Sequence, residues 1–246
     1  MAKRSLKHIV RSPDTLITVV LSPIALLLLF VYVFGGALGQ QTHGLSYVNF
    51  LTPGIIIMTV ISGIAYAAFR LSNDIQKGII NRFRTMPVKS SSILGGQAAS
   101  STLSNLFSSL LVLAVAFAIG FRTHAGLVEW LVFTGLVTLF TLATTWMAIF
   151  FALLAKSAEG AGSFSYILML LIFISPSFVP TASMTPVLRG FANNQPLTPI
   201  VETMRSLLTY GTPGSKAWLA LAWCAGILVF FYLMSLRLYR NKTIQA

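Results

Sequence analysis

Residues 16–38 read LITVVLSPIALLLLFVYVFGGAL, a run of 23 residues without a charged side chain. A helix needs roughly 20 apolar residues to cross the hydrocarbon core of a bilayer. This stretch therefore predicts a first membrane-spanning helix, which Pro23 is expected to kink. A cleaved signal peptide is the alternative, but its apolar region is usually about 7–15 residues long. We interpret the segment as a retained span.

The same pattern recurs along the chain. Of its 246 residues, 56% are hydrophobic and only 9% are charged, whereas soluble domains carry about 25% charged residues. The mean hydropathy is +0.82. These values exclude an ordinary water-soluble domain and predict an all-α membrane protein in one domain, residues 1–246. Six spans are expected, at residues 16–38, 48–69, 94–120, 127–155, 160–178 and 217–236.

The distribution of basic residues predicts the orientation of these spans. The chain holds 17 Lys and Arg against 5 Asp and Glu, a net charge of +12. With the N-terminus inside and each span crossing once, 13 of the 17 basic residues fall in cytoplasmic segments. Cytoplasmic loops of membrane proteins carry this excess. The pattern predicts a multi-pass membrane protein with both ends in the cytoplasm. It argues against nucleic-acid binding, because the charge is spread over four separate segments.

The sequence lacks the common motifs for catalysis and ATP binding. The sequence has no G-x-x-x-x-G-K-[ST] phosphate loop and no G-x-S-x-G nucleophile turn. Its histidines are far apart in sequence, and Cys224 is its single cysteine, so no metal site or internal disulfide is expected. We therefore expect no enzyme activity, cofactor or metal in this chain. A carrier coupled to an ion gradient is disfavoured, because no ionisable residue falls in the middle of a span.

The densest charge lies at residues 70–93, between the second and third spans. Within it, apolar residues recur on one helical face, at Ile75, Ile79, Ile80 and Phe83. Asp74 would lie near the start of this helix and Pro87 would end it. A short cytoplasmic helix within residues 72–87 is one interpretation and a solvated charged loop is the other. Residues 1–14 also have two interpretations, an amphipathic helix in the membrane interface or a solvated basic tail.

Prolines concentrate before the last span: six of the ten lie between Pro176 and Pro213. Thr185-Pro186 and Thr198-Pro199 each place a capping hydroxyl before a proline suited to the first helical position. They predict two short helices, residues 186–192 and 199–208, within an outer segment at 181–215. Glu202 and Arg205 are spaced to pair on the second helix. A loop lying on the outer surface is the alternative.

Three stretches resemble the permeases of type-2 ABC exporters, in particular the daunorubicin/doxorubicin-resistance permease group. The first is Asp74-x-x-Lys77-Gly78-Ile79-Ile80-x-Arg82-Phe83-Arg84-x-x-Pro87, which resembles the coupling-helix region of that family. The others are Tyr32–Gly36 and residues 177–208. Thr185 departs from the group's pattern, because it separates Met184 from Pro186. The resemblance covers essentially the whole chain.

The resemblance implies a transport subunit that works as a dimer, with a second copy or a paralogue. Two separate ATPase subunits would bind ATP and Mg and supply the energy. Residues 1–14 would form a connecting helix, and the coupling contacts with the ATPase would be made by Asp74, Ile75, Lys77, Gly78, Ile79, Arg82, Phe83, Arg84 and Pro87. The outer segment would be a re-entrant helical hairpin that closes the exit, with gate residues Pro180, Pro186, Pro196, Pro199, Glu202 and Arg205.

The resemblance also implies that cargo moves outward along the second and fifth spans. Polar and soft side chains there suit a hydrophobic drug, antibiotic or lipid-like molecule: Asn49, Thr52, Met58, Thr59, Ser62 and Tyr66 on the second span, and Phe164, Tyr166, Met169, Phe173 and Phe178 on or just after the fifth. Ordinary packing or lipid contact would use the same residue types. Export of a polysaccharide or lipid conjugate, and a non-transporting scaffold or immunity subunit, are the alternative functions.

Overall fold

Long helices dominate the computed structural model, which describes residues 17–39, 45–77 and 90–244. No strand occurs among those residues. A bilayer favours this outcome, since every backbone donor and acceptor in its core must be paired within the protein. The all-α fold predicted from the sequence is confirmed. The predicted helix at residues 1–14 and positions 78–87 of the predicted coupling region lie outside the described residues.

Ten α-helices are described. The first apolar run holds two of them, separated and preceded by π-helical turns at Phe30–Phe34 and Ile17–Leu21. A 3₁₀ turn, Thr181–Ser183, precedes the eighth helix. The α-helices are α1 Ser22–Leu29, α2 Gly35–Leu38, α3 Tyr47–Gln76, α4 Ser90–Ala118, α5 Leu127–Leu154, α6 Ala158–Gly162, α7 Phe164–Ile174, α8 Pro186–Asn194, α9 Leu197–Tyr210 and α10 Ala217–Ile244.

Five helical segments of the described chain are long and apolar enough to cross a membrane. They are Val19–Ala37, Tyr47–Gln76, Leu94–Ala118, Leu127–Leu154 and Ala217–Arg240, close to five of the six predicted spans. The sixth, predicted at 160–178, coincides with a shorter apolar segment, Ala158–Ile174. This helix ends early because Ser175 turns its hydroxyl back to the carbonyl of Ile172, 2.6 Å away, and Pro176 follows. The six-span topology stays a prediction.

The second span is longer than its sequence pattern predicts. Helix α3 continues beyond Phe69 to Gln76, so that Asp74 and Ile75 lie in its last turns. We expected Asp74 near the start of a separate helix, and this boundary was wrong. Arg70 and Asp74 therefore lie on the continuation of the same helix beyond its uncharged run. Charged side chains are compatible with a helix that continues past the apolar core into water.

Helix α3 is the centre of the bundle. Within the described structure, 83% of its apolar window is buried, against 22% for the first span and 17% for α10. It contacts α4, α5, α6, α7 and α9. Pro53 lies inside its second turn and removes one backbone donor there. A helix so fully enclosed transmits any displacement of its ends to most of the bundle.

The bundle has two ends that differ in sequence. The hairpin end carries α8, α9 and the turn at residues 119–126, which is fastened to α9 by the hydrogen bond from His124 N to Leu208 O, 3.2 Å. The Lys156 end carries Lys77, the turn at 155–157 and the last part of α10. Both ends carry basic residues, and which end faces the cytoplasm stays a prediction.

Candidate functional site

The guanidinium of Arg205 joins three parts of the hairpin end. It projects from α9 and donates to the carbonyl of Phe50 on α3, with distances of 3.2 Å from Nε and 3.0 Å from Nη2. Nη2 also donates to the carbonyl of Pro176, 2.5 Å away, in the turn after α7. The side chain is only 9% exposed. One buried cation therefore holds α9, α3 and the α7 turn together.

Arg205 lies over an aromatic ring rather than beside a carboxylate. Its guanidinium carbon is 3.7 Å from the centre of the Phe50 ring, within the range of a cation–π contact. Burial lowers the pKa of Arg205 to about 10, while the nearby charge of Glu202 opposes the shift. The group therefore remains protonated at neutral pH. Charged donors bound to carbonyls are stronger than neutral ones, which makes this the firmest polar contact of the hairpin end.

Close packing next to Arg205 depends on a glycine. A Cβ added to Gly54 would lie 2.6 Å from the Cβ of Ser177 and 3.2 Å from its Cα, so only glycine lets α3 approach this turn. The hydroxyls of Ser175 and Ser177 are 2.6 Å apart. The hydroxyl of Tyr47 donates to the carbonyl of Phe178 at 3.2 Å. The turn after α7 is therefore fixed against α3 by packing as well as by hydrogen bonds.

Side-chain hydrogen bonds also hold α8 and α9 in place. Arg189 on α8 donates to the carbonyls of Thr181, Ala182 and Met184, at 3.1, 2.6 and 3.2 Å. Thr198 donates its hydroxyl to the carbonyl of Ala192, and Gln195 donates to Leu171 on α7 at 2.9 Å. The two predicted short helices are present, with longer bounds than the sequence indicated.

Two details of the predicted hairpin were wrong. Helix α9 begins at Leu197 with Pro196 as its N-cap residue, so Thr198 lies inside the helix and does not cap it. Thr185 does occupy the N-cap position of α8, but its side chain makes no capping hydrogen bond. Glu202 does not pair with Arg205, because Arg205 turns into the bundle. Glu202 pairs instead with Lys216, at 2.8 Å.

The four prolines assigned to the outer gate lie at the joints of this region. Pro180 precedes the 3₁₀ turn, Pro186 is in the first turn of α8, and Pro196 precedes α9. Pro199 is buried in the first turn of α9. Because the ring of proline fixes its backbone φ angle, these residues restrict the direction of the chain where one segment ends and the next begins. The gating role of these residues, like that of Glu202 and Arg205, stays a prediction.

The cargo-path residues predicted on the second span do not share one open surface in this chain. Thr52 and Thr59 are buried and donate to carbonyls of their own helix, Val48 and Ile55. Met58 is buried in the core. Asn49 exchanges hydrogen bonds with Arg122 in the turn before α5, at 2.7 and 3.0 Å. Ser62 and Tyr66 are half-buried.

The residues predicted on the fifth span divide between core and surface. Phe164 is buried and stacks on Phe151 of α5, with ring centres 4.8 Å apart. Phe178 is buried between Phe30 and Phe173, both 4.9 Å from it by ring centre. Met169 packs against the core. Tyr166 and Phe173 are 77% and 45% exposed, so the outward face of α7 is the part of the predicted path that is open in one subunit.

Three of the predicted coupling residues are described. Lys77 is exposed and Asp74 and Ile75 are half-buried, all at the Lys156 end. The end of α3 is fastened to the turn at 155–157 by Ser72, which donates to Ser157 O, and Gln76, which donates to Lys156 O, both at 3.3 Å. Gly78, Ile79, Arg82, Phe83, Arg84 and Pro87 lie outside the described residues.

Sequence reasoning missed the partners that hold the hairpin end together, namely Tyr47, Phe50, Gly54 and Ser177. Phe50 is 155 residues from Arg205 in sequence, and the acceptor is a backbone carbonyl that no side-chain pattern reveals. A glycine one position after Pro53 in an apolar helix was the one available signal, because small residues mark close helix approach in membranes.

Comparison with known proteins gives the family. The model of the ABC-2 type transporter family matches residues 1–209, which include the charged stretch at 72–87 and almost all of the hairpin. The daunorubicin resistance ABC transporter permease protein DrrB1 of Streptomyces coeruleorubidus is 29% identical over 243 residues, covering 98% of this chain and 84% of that protein. The inner membrane transport permease YadH of Escherichia coli is 26% identical, covering 85% of this chain and 80% of that protein. These similarities, with the apolar helices, identify a multi-pass permease of the bacterial cytoplasmic membrane.

Proposed function

This chain belongs to the ABC-2 type transporter family, and from that premise we propose that it is the membrane subunit of an ATP-driven exporter. Two copies of a separate ATPase subunit bind ATP and Mg and supply the energy. The chain spans the membrane six times with both ends in the cytoplasm. It pairs with a second copy or a paralogue, and cargo moves outward between the two membrane subunits.

The observation that carries this proposal is the position of α3 between the two ends of the bundle. Near its start, the carbonyl of Phe50 accepts from Arg205 of the hairpin. Its last turns hold Asp74 and Ile75 and lead directly into the stretch that resembles a coupling helix. A force applied by an ATPase at residues 74–87 therefore acts on the helix to which the outer hairpin is fastened.

The outward face of α7 supports pairing with a second permease subunit. Four large apolar side chains cover it: Tyr166, Ile167, Leu170 and Phe173, with exposures of 77, 64, 61 and 45%. Two such faces opposed across a dimer would form an aromatic and aliphatic wall next to the hairpin. That wall suits a flat hydrophobic or amphiphilic molecule more than a hydrated one.

We propose a hydrophobic or amphiphilic drug, antibiotic or lipid-like molecule as cargo. The name of the Streptomyces relative connects that protein with daunorubicin resistance, and 98% of this chain aligns with it. Daunorubicin is therefore the first probe to use. A polysaccharide would require a more polar path than the exposed face of α7 offers.

The proposal is tested in inverted membrane vesicles that contain the chain and its partner ATPase. We expect accumulation of fluorescent daunorubicin that requires ATP and is abolished when the phosphate-loop lysine of the partner is replaced. Asp74→Lys should reduce accumulation, while Glu129→Lys, a reversal at the opposite end of the bundle, serves as the matched control. Accumulation driven by an ion gradient without the partner would contradict the proposal.

A further inference from the structure

A small cavity with several hydroxyl-bearing side chains in its wall lies between α3 and α4, next to Val19 of the first span. Its volume is about 50 Å³, room for roughly three to five water molecules or one tetrahedral oxyanion. Side chains from α4 form one wall, at positions 97, 100, 101, 104, 105 and 108, and Gly63, Tyr66 and Arg70 of α3 contribute to the other. The α4 positions recur every three to four residues and thus form a single helical face.

A row of small residues is by itself only a surface on which helices pack closely. Asn105 distinguishes this cavity, because its side chain is only 2% exposed and lines the cavity. Within the described part of the chain its carboxamide has no hydrogen-bond partner, unlike Asn49 and Asn194. Because Asn105 lines the cavity, its amide can bind a polar group that enters there.

Gly63 is what admits this carboxamide. A Cβ added to Gly63 would lie 1.7 Å from Oδ1 of Asn105 and 2.7 Å from its Cγ. Any larger residue at position 63 would force Asn105 out of its place. The carboxamide therefore packs directly against the backbone of α3 at Gly63 and also lines the cavity.

The charge at the cavity determines which polar group it suits. Arg70 lines it and lies 5.9 Å from the centre of the Tyr66 ring. Within residues 17–39, 45–77 and 90–244, no carboxylate lines the cavity. Asp74 follows Arg70 by one helical turn, yet among the described residues the ion pair formed is that of Lys216 with Glu202. The cavity thus combines the guanidinium of Arg70, which forms no ion pair within the described residues, with hydroxyl and amide groups.

We propose that this cavity binds a phosphate group. Guanidinium and hydroxyl donors are the groups that bind phosphate oxygens most strongly in proteins. Arg70 directly follows the uncharged run that ends at Phe69, the position at which the lipid headgroup region is expected to begin. The ligand is the headgroup phosphate of a membrane lipid or a free phosphate anion. The site shares Tyr66 with the cargo path predicted on the second span, and its binding of phosphate is measured without transport.

The test measures stabilisation of the purified full-length chain in detergent, with thermal unfolding followed by a thiol-reactive dye. Cys224 is the single cysteine and is fully buried, so the dye reports unfolding. The probes are dioctanoyl phosphatidic acid, dioctanoylglycerol and inorganic phosphate. The first two have the same acyl chains and differ by the phosphate. A ligand that binds the folded state raises the midpoint according to its concentration and affinity.

We expect phosphatidic acid to bind at least about tenfold more tightly than dioctanoylglycerol, the equivalent of one charge-assisted hydrogen bond. Arg70→Gln should abolish this preference and Arg70→Lys should restore part of it. Arg237→Gln, which removes an exposed cation from α10 at the same end of the bundle, should leave it unchanged. Stabilisation by inorganic phosphate that Arg70→Gln removes would identify a free anion as the ligand, and its absence would identify the lipid headgroup.

Equal affinity for phosphatidic acid and dioctanoylglycerol would overturn the proposal, as would a preference that survives Arg70→Gln. If Arg70→Gln does not yield folded protein, Asn105→Ser provides a second variant. It shortens the amide without adding volume, and we expect it to weaken phosphatidic acid binding about threefold to tenfold. Binding of wild-type strength in Asn105→Ser would then also overturn the proposal.

Discussion

The two ends of the bundle are held together in different ways. At the hairpin end, Arg205 donates to Phe50 and Pro176, and Gly54 allows Ser177 to pack directly against α3. These contacts are buried. At the Lys156 end, the last turns of α3 are joined to the neighbouring turn by side-chain hydrogen bonds of 3.3 Å from Ser72 and Gln76, and Gln76 is exposed.

This difference bears on the proposal that the partner ATPase binds at the Lys156 end. At the hairpin end, Arg189 and Arg205 donate to carbonyls within the same subunit. The Lys156 end instead exposes Lys77 and Gln76 next to a stretch rich in basic residues. We interpret the Lys156 end as the surface that contacts the partner ATPase and the hairpin end as the part that moves in response. Substitutions at the two ends should therefore affect stability unequally.

The largest loss of stability is expected for Arg205→Leu. It removes the charged donors to the carbonyls of Phe50 and Pro176, at a cost of about 3 kcal/mol in the free energy of unfolding. Arg205→Lys should recover part of the loss, because an ammonium keeps the charge but lacks the planar fork. Chemical unfolding in detergent, followed by dye labelling of Cys224, measures the change. A loss below 0.5 kcal/mol, roughly that of a surface substitution, would contradict the assigned role.

An intermediate loss is expected for Gly54→Ala. The added methyl overlaps the Cβ of Ser177 at 2.6 Å, and overpacking of this kind costs about 1–3 kcal/mol. Gly226→Ala on α10 is the matched control, since a Cβ there meets nothing within 4 Å and alanine favours a helix. Thermal midpoints of the two variants give the comparison. Equal midpoints would show that α3 does not need this close approach.

The smallest effect is expected at the other end, for Gln76→Ala. The exposed side chain donates to Lys156 O at 3.3 Å, and loss of such a bond should change stability by less than about 0.5 kcal/mol. The same unfolding assay applies. A loss as great as that of Arg205→Leu would mean that the Lys156 end is as firmly held as the hairpin end, and the distinction between the two ends would fail.

The positions of the long helices were predictable because uncharged runs of bilayer length have few other folds available. Their ends were less predictable. Helix α3 passes its apolar limit by seven residues, from Phe69 to Gln76, since charged side chains are compatible with a helix outside the core. The predicted fifth span is interrupted at Ser163 and ends at Ile174, where local serine hydrogen bonds compete with the helix.

The contacts at the hairpin end could be predicted only in part. The spacing of Glu202 and Arg205 on one helix suggested a local pair, yet Arg205 gains more by turning inward to two carbonyls and the Phe50 ring. Its partners lie 155 and 29 residues away in sequence. Contacts at such separations follow from the packed arrangement of α3, α7 and α9, which periodicity within one helix does not contain.

We propose that a partner ATPase contacts this chain at residues 74–87 and transmits the energy of ATP hydrolysis there. The most direct measurement compares Gly78→Pro with Gly78→Ala, in vesicles containing the partner ATPase, for both daunorubicin accumulation and stimulated ATP hydrolysis. Proline costs about 3 kcal/mol inside a helix, whereas alanine favours one. We expect Gly78→Pro to abolish both activities and Gly78→Ala to retain them. Retention of both activities in Gly78→Pro would contradict the proposal.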